Sequence, residues 1–418
     1  MEEAVRLREP NRRQMILHPT DIDGLLEPEH AARAIWRVLE KIDLSRFCAG
    51  IRARTGIAGR DANDPRMLLT LWLYAISQGV NSAREVERLC QMHAAYRWIC
   101  GGVTVNYHSL SDFRSAHPEA LDELMSQVLA VLMEPGLITL YRVAQDGMRV
   151  RASAGAASFR RETRLKACLK AAREHIRQLA ADTDPAQVNA RRQAAQKRAA
   201  VEREQRLAQA LEQLEKLGQR RAQAKNHPQR TTPPRASSTD PEARVMKMAN
   251  GGFNPAYNVQ LATDTGSRMI VGVRVTNAGS DSQQLEPMLA EIERRTGQLP
   301  QQHLADSGYL NFSSFEQAAH QGVELFVPLR AHRGHLAPYL PQASDGPAVA
   351  QLRHRMGAAE GQQVYQTRAA TAEPVNADLR TWRGFDRMLV RGIAKVLTVA
   401  LWSALTYNLI HAINLGWL

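Results

Sequence analysis

Tyr257-Asn258-Val259-Gln260-Leu261-Ala262, then Asp264-Thr265-Gly266-Ser267, then Met269-Ile270-Val271-Gly272-Val273-Arg274-Val275 is the stretch whose reading decides the fold. Two runs rich in apolar and β-branched residues flank four turn-forming residues, which is the pattern of an antiparallel hairpin. Asp264 reads as part of that turn. Upstream, residues 137–152 also alternate apolar side chains, around Asp146. Downstream, the pattern predicts a helix over 282–295, a short strand at His303-Leu304-Ala305, a helix over 313–321 and a strand over 323–328. Residues 332–362 are rich in Gly, Pro, Gln and His and read as irregular, helix returns near Ala370, and a last helix spans 390–415. Meander strands followed by strands alternating with helices point to an α+β or α/β domain.

Ahead of it, residues 20–135 read as all helical. Ala31, Ala34, Ile35 and Val38 mark one apolar face over 27–41. Asp64-Pro65 resembles an N-cap followed by proline at the first helical position, opening the apolar run Met67-Leu68-Leu69-Thr70-Leu71-Trp72-Leu73-Tyr74. Ser82 and Glu85 match a capping box, and Ser111 is a candidate cap for a helix over 109–117.

The 418 residues carry 54 Lys and Arg against 42 Asp and Glu, a formal net charge of +12. This length allows two or three domains and a sizeable core. With 44% hydrophobic and 23% charged residues, a wholly disordered chain is excluded. Cys48, Cys90, Cys100 and Cys168 form no CxxC pair, so neither a cysteine zinc knuckle nor a disulfide scaffold is expected, and a reducing compartment fits. The start, MEEAVRLREPNRRQ, lacks the basic-then-apolar pattern of a signal peptide. The apolar stretch 396–415 is broken by Thr398, Ser403, Thr406, Asn408, His411 and Asn414, and an amphipathic core helix is expected there rather than a membrane span.

The excess charge is local. Residues 161–230 hold 17 Lys and Arg against 8 Asp and Glu, with no Phe, Trp or Tyr. Leu207, Leu211, Leu214 and Leu217 recur at three-to-four spacing, so a long polar helix or helical hairpin is expected, with a break at Asp182-Thr183-Asp184-Pro185. Such an arm is either a solvated helical surface or one that lies along phosphates through cations such as Arg191, Arg192, Lys197 and Arg198. Residues 228–241 (PQRTTPPRASSTDP) read as a poorly ordered linker.

Three acids stand out. Asp146-Gly147 is either a tight-turn dipeptide or an acid in a strand. Asp306-Ser307-Gly308 is either an Asx-turn or an acid at a strand end. Glu373, before Pro374, either simply complements a helix dipole or is a functional acid at a helix start. Asp281 is either the cap of the helix at 282 or a supporting acid beside such a site. The histidines, among them His108, His117, His303, His332, His335 and His354, show no zinc spacing.

In order along the chain, Asp146-Gly147-Met148-Arg149-Val150-Arg151-Ala152, Asn254-Pro255-Ala256-Tyr257-Asn258-Val259-Gln260 and Ala305-Asp306-Ser307-Gly308-Tyr309 are followed by Tyr365-Gln366-Thr367-Arg368, Glu373 and Arg380. Together they resemble the DDE transposases of bacterial insertion sequences, and the last group is similar to their YREK-type signature. Thr239-Asp240-Pro241-Glu242-Ala243-Arg244 looks like a linker of the same subgroup. Asp64-Pro65, Tyr96-Arg97-Trp98 and Phe113-Arg114-Ser115-Ala116-His117 resemble the helical domain these transposases carry. Asn376-Ala377 departs from the pattern, which has an aromatic followed by glycine, and Arg380 stands where lysine is commoner; the missing aromatic predicts weaker packing behind Glu373.

The resemblance implies a ribonuclease-H-like mixed sheet with flanking helices, split by a long basic helical insertion, after an N-terminal all-α domain. The expected parts are 1–135 (helical, for DNA-end binding or dimerisation), 136–160 (first catalytic part), 161–240 (insertion and linker) and 241–418 (remaining catalytic part). It further implies that Asp146, Asp306 and Glu373 are the catalytic acids and ligands of two Mg²⁺ ions, with Mn²⁺ able to substitute. Carboxylates without a Cys or His cluster suit such hard cations. Tyr365, Arg368 and Arg380 would contact DNA; for the two arginines the alternative is an exposed helix-face charge. The implied activity is cleavage at transposon ends and transfer of the 3′-OH to target DNA. The partners would be double-stranded DNA and a second copy, in the nucleoid-associated cytoplasm. The competing readings are an inactive, decayed or domesticated DNA-binding protein and a nuclease without strand transfer.

Overall fold

The computed structural model describes residues 21–53, 61–181, 190–223, 232–331 and 337–417, without the side chains of 190 and 191. Helices come first: α1 (Ala31–Glu40), α2 (Ser45–Cys48), α3 (Pro65–Ser77), α4 (Ala83–Met92), α5 (Ala94–Cys100), α6 (Tyr107–Ala116) and α7 (Pro118–Met133). The start of α3 follows the sequence: the Arg66 N–H donates to Asp64 Oδ1 at 2.7 Å and Pro65 takes the first position. Met67 through Ile76 are all buried, so this helix is core on every side. The capping box at Ser82 does not form, because Glu85 instead pairs with Arg88 at 2.6 Å. Nor is Ser111 a cap: α6 starts earlier, where Asn106 accepts from the Ser109 N–H.

The sheet region contains β1 (Arg142–Arg151), β2 (Phe159–Arg160), α8 (Glu162–Ala181), α9 (Ala190–Gln223), β3 (Ala236–Ser237), β4 (Arg244–Lys247), β5 (Phe253–Asp264) and β6 (Ile270–Thr276). It continues with α10 (Leu285–Thr296), β7 (Gln302–Leu304), α11 (Phe312–His320), β8 (Glu324–Phe326), α12 (Pro347–Gly357), α13 (Ala359–Thr381) and α14 (Ile393–Asn414). The main sheet runs β4-β5-β1-β7-β8, with β6 also on β5. β5 pairs antiparallel with β1, β4 and β6, whereas β7 lies parallel to both β1 and β8. The hairpin at 257–275 therefore forms, and Asp264 closes it by accepting from the Ser267 N–H and hydroxyl.

Although β1 and β5 are neighbours, α8 and α9 lie between them in the chain. These two helices pack on each other through Leu165, Leu169 and Ala172 against Leu207, Ala210 and Leu214. The expected break at 182–185 lies outside the described residues. From residue 232 the linker is not loose as its composition suggested. Ala236, Ser237 and Asp240 are buried, and Asp240 Oδ1 accepts from the Tyr257 hydroxyl at 2.6 Å and the Gly392 N–H at 3.2 Å. Residues 228–231 lie outside the described residues.

Two further expectations are corrected. Residues 347–357 and 359 onward are helical rather than irregular, because Val349, Leu352 and Met356 bury one face of α12. α14 is buried around nearly its whole circumference rather than amphipathic. By length and composition it could cross a membrane, but 78% of its apolar window lies inside the protein, as in a core helix. One hydrophobic cluster joins α1, α3, α7, β1, β5, β6 and α14.

Candidate active site

Asp146 sits mid-strand in β1, opposite Leu261, so the Asp-Gly pair is no hairpin turn here. Long-range pairing with β5 overrides the local turn preference. The Gly147 N–H donates to Asp146 Oδ1 at 3.0 Å, and Asn376 Nδ2 on α13 donates to its Oδ2 at 2.8 Å. Asp306 follows β7, the parallel neighbour of β1. Its Oδ1 accepts from the Gly308 N–H at 2.6 Å, so the Asx-turn does form and orients this carboxylate at the strand end. Glu373 does not open a helix. It lies inside α13, which begins fourteen residues earlier at Ala359 and carries Pro374 in its interior.

Arg368, one turn before Glu373, links two of these acids. Its Nη1 is 3.7 Å from Asp146 Oδ1 and its Nη2 is 4.0 Å from Glu373 Oε1. The Glu373 side chain is 66% exposed, whereas that of Arg368 is 13% exposed. Arg368 is therefore no solvated helix-face charge; it is the counter-charge of the acids, with its guanidinium 5.9 Å from the centre of the Tyr365 ring. Burial pushes the Asp146 carboxyl up to about 6. The charges of Asp306 and Asp281 push the same way, against Arg368 and the Gly147 N–H.

Among the described residues, no three His, Cys, Asp or Glu side chains are gathered closely enough to hold a metal ion. The donor chemistry nonetheless suits a hard cation. The acids are all carboxylates, and Asp146 is half-buried beside other negative charge that a cation would relieve.

Of the other expected DNA contacts, Tyr365 is half-buried against the cluster around Phe326 and Tyr309. Arg380 is half-buried in the last turn of α13. Arg192, Lys197 and Arg198 are exposed on α9, and the side chain of Arg191 lies outside the described residues.

Sequence reasoning missed the polar support behind the acids. Asp281 does not cap α10, whose N-cap is Gln284. It accepts instead from Asn258 and Gln260. Behind Gln260, Gln145 and the fully buried His303 continue the hydrogen bonding. Burial holds His303 neutral by lowering its pKa to about 3. The available signal was Asn258 and Gln260 alternating with Val259 and Leu261 in a strand, since a strand places residues two apart on one face. Two amides on one face of a strand that is buried from Pro255 onward imply a partner between sheet and loop.

Two family models match the chain: a Transposase DDE domain over residues 224–409 and a Transposase domain (DUF772) over residues 20–116. Together the two matches support an insertion-sequence DDE transposase. The DDE match includes Asp306 and Glu373 and begins after Asp146. Searches of curated proteins and of solved structures found no match. The matches support transposase function and a DNA partner, and DDE transposases generally use divalent metal ions.

Proposed function

We propose that this transposase cuts DNA at the ends of its element and joins the freed 3′-OH to target DNA, through Asp146, Asp306 and Glu373. The observation that carries the reading is the meeting of Asp146 on β1 and Asp306 at the end of the parallel neighbour β7, with Glu373 of α13 tied to Asp146 through Arg368. In this reading the mixed sheet is ribonuclease-H-like, and α8 and α9 are a basic insertion that follows the DNA backbone. The helical segment 1–135 binds element ends or a second copy, on nucleoid DNA in the cytoplasm.

The three carboxylates would hold two Mg²⁺ ions, or Mn²⁺ in their place. Bound there, such ions activate the attacking oxygen and neutralise the departing one. The protein's own groups orient the acids and offset part of the charge they carry. Asn376 and the Gly147 N–H orient Asp146, the Gly308 N–H orients Asp306, and Arg368 balances their charge until DNA arrives. In the first step a water oxygen bonds to phosphorus as the P–O3′ bond breaks; one water proton leaves to solvent and the departing 3′ oxygen takes up the other, so that it leaves as a hydroxyl. In the second step the oxygen of that hydroxyl bonds to a target phosphorus and gives up its proton, while the target's own 3′ oxygen leaves and takes up a proton.

Asp146→Asn, Asp306→Asn and Glu373→Gln are each expected to abolish metal-dependent cleavage of a labelled element end while leaving its binding nearly unchanged. Cleavage at the wild-type rate by any one of them contradicts the assignment. A DNA-binding protein that cuts nothing is the second reading, favoured by the exposed position of Glu373. Absence of any cleavage by the wild-type protein with Mg²⁺ or Mn²⁺ would establish it.

A further inference from the structure

Asp281 is not one of the three acids proposed above, yet it lies between two of them. It sits in the loop joining β6 to α10, with its side chain 16% exposed. Its Oδ1 accepts from Asn258 Nδ2 at 2.6 Å and Gln260 Nε2 at 2.7 Å, two amides on one face of β5. Its Oδ2 faces Arg149 at 3.7 Å.

Two glycines show how closely this carboxylate approaches the proposed site. A Cβ on Gly147, beside Asp146, would fall 2.7 Å from Asp281 Oδ1 and 2.5 Å from Gln260 Nε2. A Cβ on Gly308 would fall 2.8 Å from Asp306 Oδ1 and 3.7 Å from Asp281 Oδ2. Asp281 therefore packs against the backbone beside both aspartates. Only glycine leaves room for it at Gly147.

The amide clamp is itself anchored. Gln260 Oε1 accepts from the Tyr309 hydroxyl and from Gln145 Nε2, and Gln145 Oε1 accepts from His303 Nε2. One buried chain of hydrogen bonds thus joins β1, β5, β7 and the turn after β7. A satisfied polar network of this kind fixes a single geometry.

We propose that Asp281 is a positioning residue for the divalent-ion site, holding the backbone beside Asp146 and Asp306 at a fixed separation and adding a fourth negative charge that draws the cation in. The inference rests on the assignment of Asp146 and Asp306 as ion ligands. Asp281→Asn largely separates charge from shape: its side-chain oxygen still accepts from both amides, while the charge and with it the pairing to Arg149 are removed. Loss of a partner that supports metal ligands costs about 10- to 100-fold in metal affinity.

The test uses the full-length protein with Mn²⁺ alone, read by the free-ion paramagnetic resonance signal. Asp281→Asn is expected to keep its melting temperature and its affinity for a labelled end under chelation, while Mn²⁺ affinity falls about tenfold or more. A merely structural role predicts wild-type Mn²⁺ affinity in this variant. That result, with binding lost in Asp146→Asn, overturns the inference and leaves the site assignment standing. Unchanged Mn²⁺ binding in Asp146→Asn overturns both. If Asp281→Asn does not fold, Asn258→Ser reads the same clamp: a smaller loss of affinity supports the proposal, and wild-type affinity overturns it.

Discussion

At Asp146, burial and two neighbouring carboxylates work against ionisation, and its pKa is pushed up to about 6 from 3.8. The folded protein therefore holds this proton more tightly than the unfolded chain does. The stability at issue is full below the unfolded value and is lost as pH rises toward the folded one. Asp146→Asn, which cannot ionise, should then stabilise the ion-free protein at neutral pH by up to about 3 kcal/mol and bring no gain below about pH 4. Melting curves of chelator-treated protein across this range measure it, and equal melting temperatures at neutral pH would refute the argument. All three proposed acids were legible in the sequence, because each sits in a quotable motif. Their supports were not. Asn376 looked like the loss of an aromatic, yet it donates to Asp146 from 230 positions away. No local pattern encodes a contact of that span.

Among the elements, the segment from Asp240 to Glu242 does more than connect. Asp240 Oδ1 takes the Tyr257 hydroxyl from β5 and the N–H of Gly392, while Glu242 accepts from the Ile393 N–H. The segment thus ties the central strand to the start of α14, where free N–H groups need acceptors. Tyr257→Phe would leave a fully buried carboxylate short of a partner, and a loss of about 1–3 kcal/mol is expected. Urea unfolding reads this, and an unchanged midpoint would show that the pairing contributes nothing. Composition misread this segment, because Pro, Ser and Thr mark loops in general and say little about which loops are pinned by buried acids. The same holds at α12, where glycines, prolines and histidines nearby hid a helix whose buried face is short. β1, β5, β6, β7, β8 and the opening of α3 were legible, because alternation, short apolar runs and an Asp-Pro start are local signals, whereas the short β2, β3 and β4 were not read.

Over the whole molecule, charge and core are arranged differently. The positive excess concentrates in α8 and α9, whose apolar residues are used up against each other, leaving Arg192, Lys197 and Arg198 exposed. If this arm follows DNA phosphates, replacing those three cations with glutamine should weaken binding to element ends and to unrelated DNA alike. The slope of log affinity against log salt should fall by up to about 2.7, at about 0.9 per phosphate contact. An unchanged slope would place the arm away from DNA. The arm was legible from composition alone. The shared core was not: the helical segment and the sheet read as separate units, yet α14 packs against α1, α3, α6, α7 and β6. Because α14 follows these partners in the chain, they lack their shared packing surface until it has been made. A stop codon upstream of α14 would take one shared packing partner away from α1, α3, α6, α7 and β6 at once.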